Sequence, residues 1–138
     1  MRNLIVALLI LFLSGCHEER QIGDMKHLNG YWQIKQAEVP GIVIKDYKGG
    51  LKLDYINIKS DSTGIRKKMK VSMMDEYKTT PNQEDIKLIK EQEEIKLACK
   101  TPYSKWKETI LYLSSDSLVI KNRDNKKYYY SKYRTDEE

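Results

Sequence analysis

Histidine is almost absent from this chain: there are two, His17 and His27, and both lie close to its N-terminus. Neither a histidine-based catalytic triad nor a clustered zinc site can be assembled from the rest of the sequence. Cysteine is equally scarce, with only Cys16 and Cys99. If Cys16 is consumed by chemistry of its own, no internal disulfide can form even in an oxidising compartment, so stability rests on packing and Cys99 reads as a small core side chain. Phenylalanine occurs once against ten tyrosines, a bias toward rings that keep one edge wet. Charge of one sign is never gathered into a long block: 25 basic residues stand against 20 acidic ones, for a formal +5. The densest basic stretch, "IRKKMK" (65–70), reads as a solvated strand face, with lipid phosphates or anionic glycans as its alternative contacts. No recognised nucleic-acid motif is present, so nucleic acid is excluded as a partner.

What the chain does have begins with "LIVALLILFLSGCHEER" (4–20). Arg2 is followed by an apolar run over 4–13 and then by Ser14 and Gly15, the layout of a secretory signal peptide whose core is too short to remain as a membrane-spanning helix. "LSGC" (13–16) resembles the bacterial lipobox. The resemblance implies that residues 1–15 are a cleaved lipoprotein signal peptide and that Cys16 becomes the acylated N-terminus, fixed to the membrane by more than one acyl chain. The alternative is a simple anchor helix with an incidental thiol. Glu18 and Glu19, directly after the cysteine, resemble the signal that sends such lipoproteins to the cell surface in Bacteroidetes. The expected location is therefore the bacterial outer membrane, on its surface or on its periplasmic face. Residues 16–27, polar and poor in large apolar side chains, read as a flexible tether.

From residue 28 to 138 the dominant pattern is period-two alternation of β-formers. "YWQIKQAEV", "LKLDYINIK", "IRKKMKVSM", "EIKLACK", "KETILYLS", "SLVIKN" and "KYYYSKYR" are strand-length runs separated by polar turn clusters such as "KSDSTG", "SSDS" and "NRDNK". The expected fold is all-β, a barrel or sandwich built as a meander. Two stretches are double. Residues 80–97 open like a capped helix at Thr80 and Pro81, yet Ile86, Leu88, Ile95, Leu97 and Cys99 fit two strands around a turn at 90–93 better than one helical stripe. Residues 40–50 are either a ninth short strand or, as the proline and glycines favour, a loop over one end of the barrel.

"LNGYWQI" (28–34) carries Gly30 and Trp32 in the spacing of the Gly-x-Trp signature of lipocalins, and the chain resembles the short lipocalin-like lipoproteins of Bacteroidetes. The resemblance implies a small up-and-down barrel of about eight strands. It implies that Trp32 packs in the closed end under a basic residue of the last strand, either Arg134 or Lys132, and that a ligand pocket has Trp32 and Ile34 at its floor. Trp106, between charged neighbours, is expected at the rim. In "KYYYSKYR", alternation sends Tyr128 and Tyr130 to one face and Tyr129 and Tyr133 to the other. No enzyme activity, metal or cofactor is expected, because "SSDS" (114–117) has serines without a base and the carboxylates of 84–94 interleave with lysines as on a solvated hairpin. Two functions fit. One is an envelope-anchored barrel holding a small apolar or amphipathic molecule. The other is an interaction lipoprotein with a side-chain-filled barrel that binds an envelope protein or blocks a toxin. Cavity volume separates them.

Overall fold

The computed structural model describes residues 23–45, 52–71 and 77–134. Its strands are β1 (Gly30–Val39), β2 (Ile42–Lys45), β3 (Lys52–Ile58), β4 (Thr63–Val71), β5 (Tyr77–Glu91), β6 (Glu94–Lys100), β7 (Lys105–Leu113), β8 (Ser117–Lys121) and β9 (Lys127–Tyr133). Each strand from β3 to β9 pairs antiparallel with the next, and β1 pairs with β3 on one edge and with β9 on the other. An eight-stranded up-and-down barrel therefore closes; the alternation leaves barrel or sandwich open, and the barrel is the form the resemblance implies. The remaining strand corrects the loop expected over 40–50. After a turn at Gly41, whose φ of +84° suits glycine, β2 returns antiparallel along the second half of β1, with Ala37 opposite Ile44. Residues 46–50 lie outside the described residues.

The hairpin reading of 80–97 holds. Period-two spacing wins over the capping signal because Ile86, Cys99, Leu88 and Leu97 become two inward cross-strand pairs. The turn is the two residues Gln92 and Glu93, both at positive φ (50° and 67°), a left-handed pair that matches the twist of a tight hairpin. Pro81 is accommodated because the β4–β5 ladder jumps there: Lys67 faces Gln83 and Met69 faces Thr79, leaving 80–82 opposite the single residue Lys68. A proline, which has no N–H to give a ladder, belongs at such a bulge. Single-residue irregularities between Ile34 and Gln36 of β1 and between Ile110 and Tyr112 of β7 bend two further strands.

One end of the barrel is plugged. Trp32, Leu28, Ile56, Leu97, Ile110, Leu113, Leu118 and Ile120 are buried almost completely and form one cluster, each such side chain contributing about 1.5–3 kcal/mol of burial. The lid of this cluster is a 3-10 turn over Met25–Leu28, capped by the Asp24 carboxylate and tied down where the Gly23 N–H donates to the Leu113 carbonyl at 2.8 Å. The chain therefore joins the barrel before Leu28, where the sequence places the start of the domain. The Asn29 amide completes the end of β3, accepting from the Ile58 N–H at 2.7 Å and donating to its carbonyl at 3.1 Å.

Candidate functional site: a charged cavity above Trp32

The Gly-x-Trp stretch has a local physical cause. Gly30 sits at φ +127°, outside the reach of ordinary L side chains, and a Cβ there would come within 3.0 Å of the Lys132 ammonium. That ammonium lies 4.2 Å from the centroid of the Trp32 ring and donates to the carbonyls of His27 and Asn29 at 2.7 and 2.6 Å. Trp32 in turn donates its indole N–H to the Leu28 carbonyl at 2.8 Å. Of the two basic residues expected over the tryptophan, the structure places Lys132 there. Arg134 is exposed and donates to the Ser115 carbonyl at 3.2 Å. The reason is register: Trp32 faces Lys132 directly across the β1–β9 ladder, and Arg134 lies beyond the last residue of β9. Burial, with the charge of Arg134 added, holds the Lys132 ammonium below the usual lysine range.

Above this plug the barrel is open. A cavity of ≈ 760 Å³ is lined at its base by Trp32 and Ile34, on one side by Tyr128 and Tyr130, and at its mouth by residues 122–124 of the β8–β9 turn. Trp32, Ile34, Tyr128 and Tyr130 thus meet in one cavity, with Ile34 opposite Tyr130. Tyr129 faces outward and donates its hydroxyl to Glu38 at 2.9 Å. Burial, and the Asp54 carboxylate beside it, push the Tyr130 phenol well above its ordinary value. It stays protonated, with its hydroxyl hydrogen-bonded to Asp54. Cys16, the residue expected to carry lipid, lies outside the described residues.

The opposite wall is ionic, and sequence reasoning missed it. "IRKKMK" is not one solvated face, because alternation divides it: Arg66 and Lys68 line the cavity while Lys67 and Met69 point the other way. Arg66 is 9% exposed. Its Nε–H donates to Glu84 at 2.6 Å, while Nη1 and Nη2 donate to the two oxygens of Glu108 at 3.1 and 2.6 Å, a fork on fork. Trp106 does not cover the rim. It turns inward, packs against the core and donates its indole N–H to Glu108 at 2.7 Å. Cys99, buried and free, faces inward with Ile95 and Leu97 as expected, its sulfur 3.5 Å from Glu108 and 3.8 Å from Arg66. Burial pushes this thiol up to about 12, against the pull of Arg66, so it is a packing group and not a nucleophile.

Desolvation works against the Glu108 carboxylate, yet the hydrogen bond and charge of Arg66, with Trp106 and Cys99, hold it below the ordinary value. Arg66, desolvated but clamped between Glu108 and Glu84, is raised well above its own. The wall is therefore an arginine clamped between two carboxylates, with every buried polar side-chain atom satisfied among the described residues. It can orient a polar group at the cavity wall while Trp32, Trp106 and Ile34 offer apolar contact. Among the described residues no three His, Cys, Asp or Glu side chains converge on a metal position. The signal for two of the three charges was present: Glu84 has the parity of Ile86 and Leu88, and Glu108 that of Trp106 and Ile110. For Arg66 it pointed the wrong way, since Ile65 and Met69 hold the opposite parity.

No protein-family model and no curated protein sequence matches this chain.

Proposed function

We propose that the chain is an envelope lipoprotein of a bacterium, acylated at Cys16 and held at the outer membrane. Its lipocalin-like barrel binds a small amphipathic molecule. The observation that carries the binding half of this reading is the ≈ 760 Å³ cavity, which lies within the size range of small-molecule sites and joins apolar and aromatic walls to a few fixed polar groups. The ligand lays its apolar part against Trp32, Ile34 and Trp106 and turns its polar end to the Arg66, Glu84 and Glu108 wall. A wholly apolar ligand fits this lining less well, because it would desolvate the ionised wall without replacing its water contacts. The anchoring half is supported by "LSGC" after a short apolar core.

Both tryptophans line the cavity, so the unaltered chain reports on its own occupancy. Replacing Trp106 would remove the indole donor from Glu108 and disturb the site under test. Titration with fatty acids, retinoid-like probes and isoprenoids should give a saturable emission shift, strongest for members with a polar end. A flat response to all three classes would overturn the carrier reading and move function to the outside of the barrel, as in an interaction lipoprotein. The anchor is tested separately. Labelled palmitate should enter the parent chain and not Cys16→Ser, and equal incorporation into both would remove Cys16 as the acylation site.

A further inference from the structure

The outward faces of β4 to β7 carry a second concavity, of ≈ 740 Å³, walled by lysines. The register builds it in two rows. In one, Lys87 and Lys107 flank Ala98 from either side; in the other, Asp85 faces Lys100 and Lys100 faces Lys105. Lys87, Lys100, Lys105 and Lys107 are all exposed. Like charges directly opposite on adjacent strands oppose pairing, and yet Lys100 and Lys105 meet in that position. Among the described residues, Lys87, Lys100 and Lys105 make no ion pair, whereas Glu91 draws in both Lys107, at 2.5 Å, and Lys96, at 3.6 Å. Lys59 adds a further positive charge to the rim, and among the described residues Asp85 is the single acidic one lining it. The floor between the lysine stems is Ile65 and Ala98, both half-buried.

The geometry points to this face as a docking surface for an anionic lipid bilayer, with the barrel lying on its side so that Lys87, Lys100 and Lys105 reach headgroup phosphates. Charge complementarity is one argument. The path of the chain is the other, and it rests on the Cys16 anchor proposed above. Gly23 is fastened to Leu113, the last residue of β7, and only residues 17–22 separate it from Cys16. Fully extended, that connection reaches about 25 Å. This is roughly the length of β7 itself. A lipid on Cys16 therefore holds the barrel within one strand length of the headgroups, by the very strand that bears Lys105 and Lys107. The run 65–70, which looked like the basic patch, contributes little here because Arg66 and Lys68 are turned inward.

The test measures acetylation rates of individual lysines by mass spectrometry, with the full chain on vesicles of phosphatidylcholine alone and of phosphatidylcholine mixed with phosphatidylglycerol. Each lysine near an anionic surface is worth about five-fold in partitioning. Lys87, Lys100 and Lys105 should therefore slow by roughly five-fold or more on the mixed vesicles, and recover in high salt. Lys35, exposed on β1, should not change. In Lys100→Glu/Lys105→Glu the remaining reporter, Lys87, should lose its protection; Lys100→Gln/Lys105→Gln gives the same readout without new negative charge. Equal rates on both vesicle types, or no association with the mixed ones, would overturn the proposal. Flotation with the neutral vesicles reads the anchor by itself, so a failed anchor is distinguished from a failed docking face.

Discussion

Replacing Arg66 by Met should lower the stability of the domain by about 3 to 5 kcal/mol, the penalty for breaking a buried ion cluster from one side. The loss is not that of the guanidinium's own contacts. It comes from Glu84 and Glu108, which in the parent share one cation and in the variant face each other across the cavity wall with none. The pH dependence gives the cleaner test. In the parent, Glu108 has its folded value held below the ordinary 4.5, because Arg66 outweighs desolvation. A carboxylate depressed on folding contributes stability that is fully present above its unfolded value and is lost as pH falls through the folded one. The parent should therefore weaken below about pH 4.5. In Arg66→Met desolvation is opposed only by the hydrogen bonds from Trp106 and Cys99, so the folded value of Glu108 should rise above the unfolded one and the sign inverts: mild acid should stabilise the variant relative to neutral pH. Urea unfolding of both proteins across that window reads the two slopes, and a parallel pair of curves would mean that Arg66 does not set the ionisation of Glu108. Adding Glu84→Gln and Glu108→Gln to Arg66→Met should recover most of the loss, since the wall then holds no unpaired charge.

The distance between what the sequence allows and what the fold does is clearest at this cluster. Strand parity can be read from residues such as Ile86, Leu88, Leu97 and Cys99, because a two-residue period with one wet face leaves no other solution. On β4 that logic fails. Its apolar residues Ile65 and Met69 take the outward parity, Met69 buried all the same, and its cation Arg66 is inside, an inversion tolerable only because Glu84 and Glu108 arrive from two other strands to meet the charge. Pairing between strands is not written in any one of them, so the arginine's environment could not be read before the barrel closed. The lysine face has the same origin, since Lys87, Lys100 and Lys105 come together through register and not through a run. The Trp32 plug was legible because its parts are local, Leu28, Gly30 and Trp32 within five residues. The sequence offers Arg134 and Lys132 alike as its partner, and only the β1–β9 register decides between them.

The second large effect is expected at Trp32. Truncation to alanine should cost about 3 to 5 kcal/mol, as for other fully buried aromatic side chains. Trp32 is 0% exposed, so truncation removes the whole ring from the cluster it forms with Leu28, Ile56 and Leu118. Two further losses fall on groups that stay behind: the Leu28 carbonyl loses its indole donor, and the Lys132 ammonium loses the ring beneath it while remaining bound to the carbonyls of His27 and Asn29. Trp32→Phe separates these contributions. It keeps a ring under Lys132, though a weaker cation–π partner, and gives up the N–H, so it should cost about 1 to 3 kcal/mol, chiefly for the unsatisfied Leu28 carbonyl and the unfilled volume. Chemical unfolding should rank the parent above Trp32→Phe and Trp32→Ala last, with the same dependence on denaturant if the barrel still unfolds as one unit. The ligand site should respond in a different order. Trp32 is the base of the cavity, so Trp32→Ala deepens it toward the 3-10 turn and should weaken binding of a ligand matched to the native depth, whereas Trp32→Phe should leave affinity nearly unchanged. Should Trp32→Ala lose less than about 1 kcal/mol, the closed end would have to be held by Leu28 and its neighbours without the indole, and the Gly-x-Trp stretch would have no structural reason in this barrel.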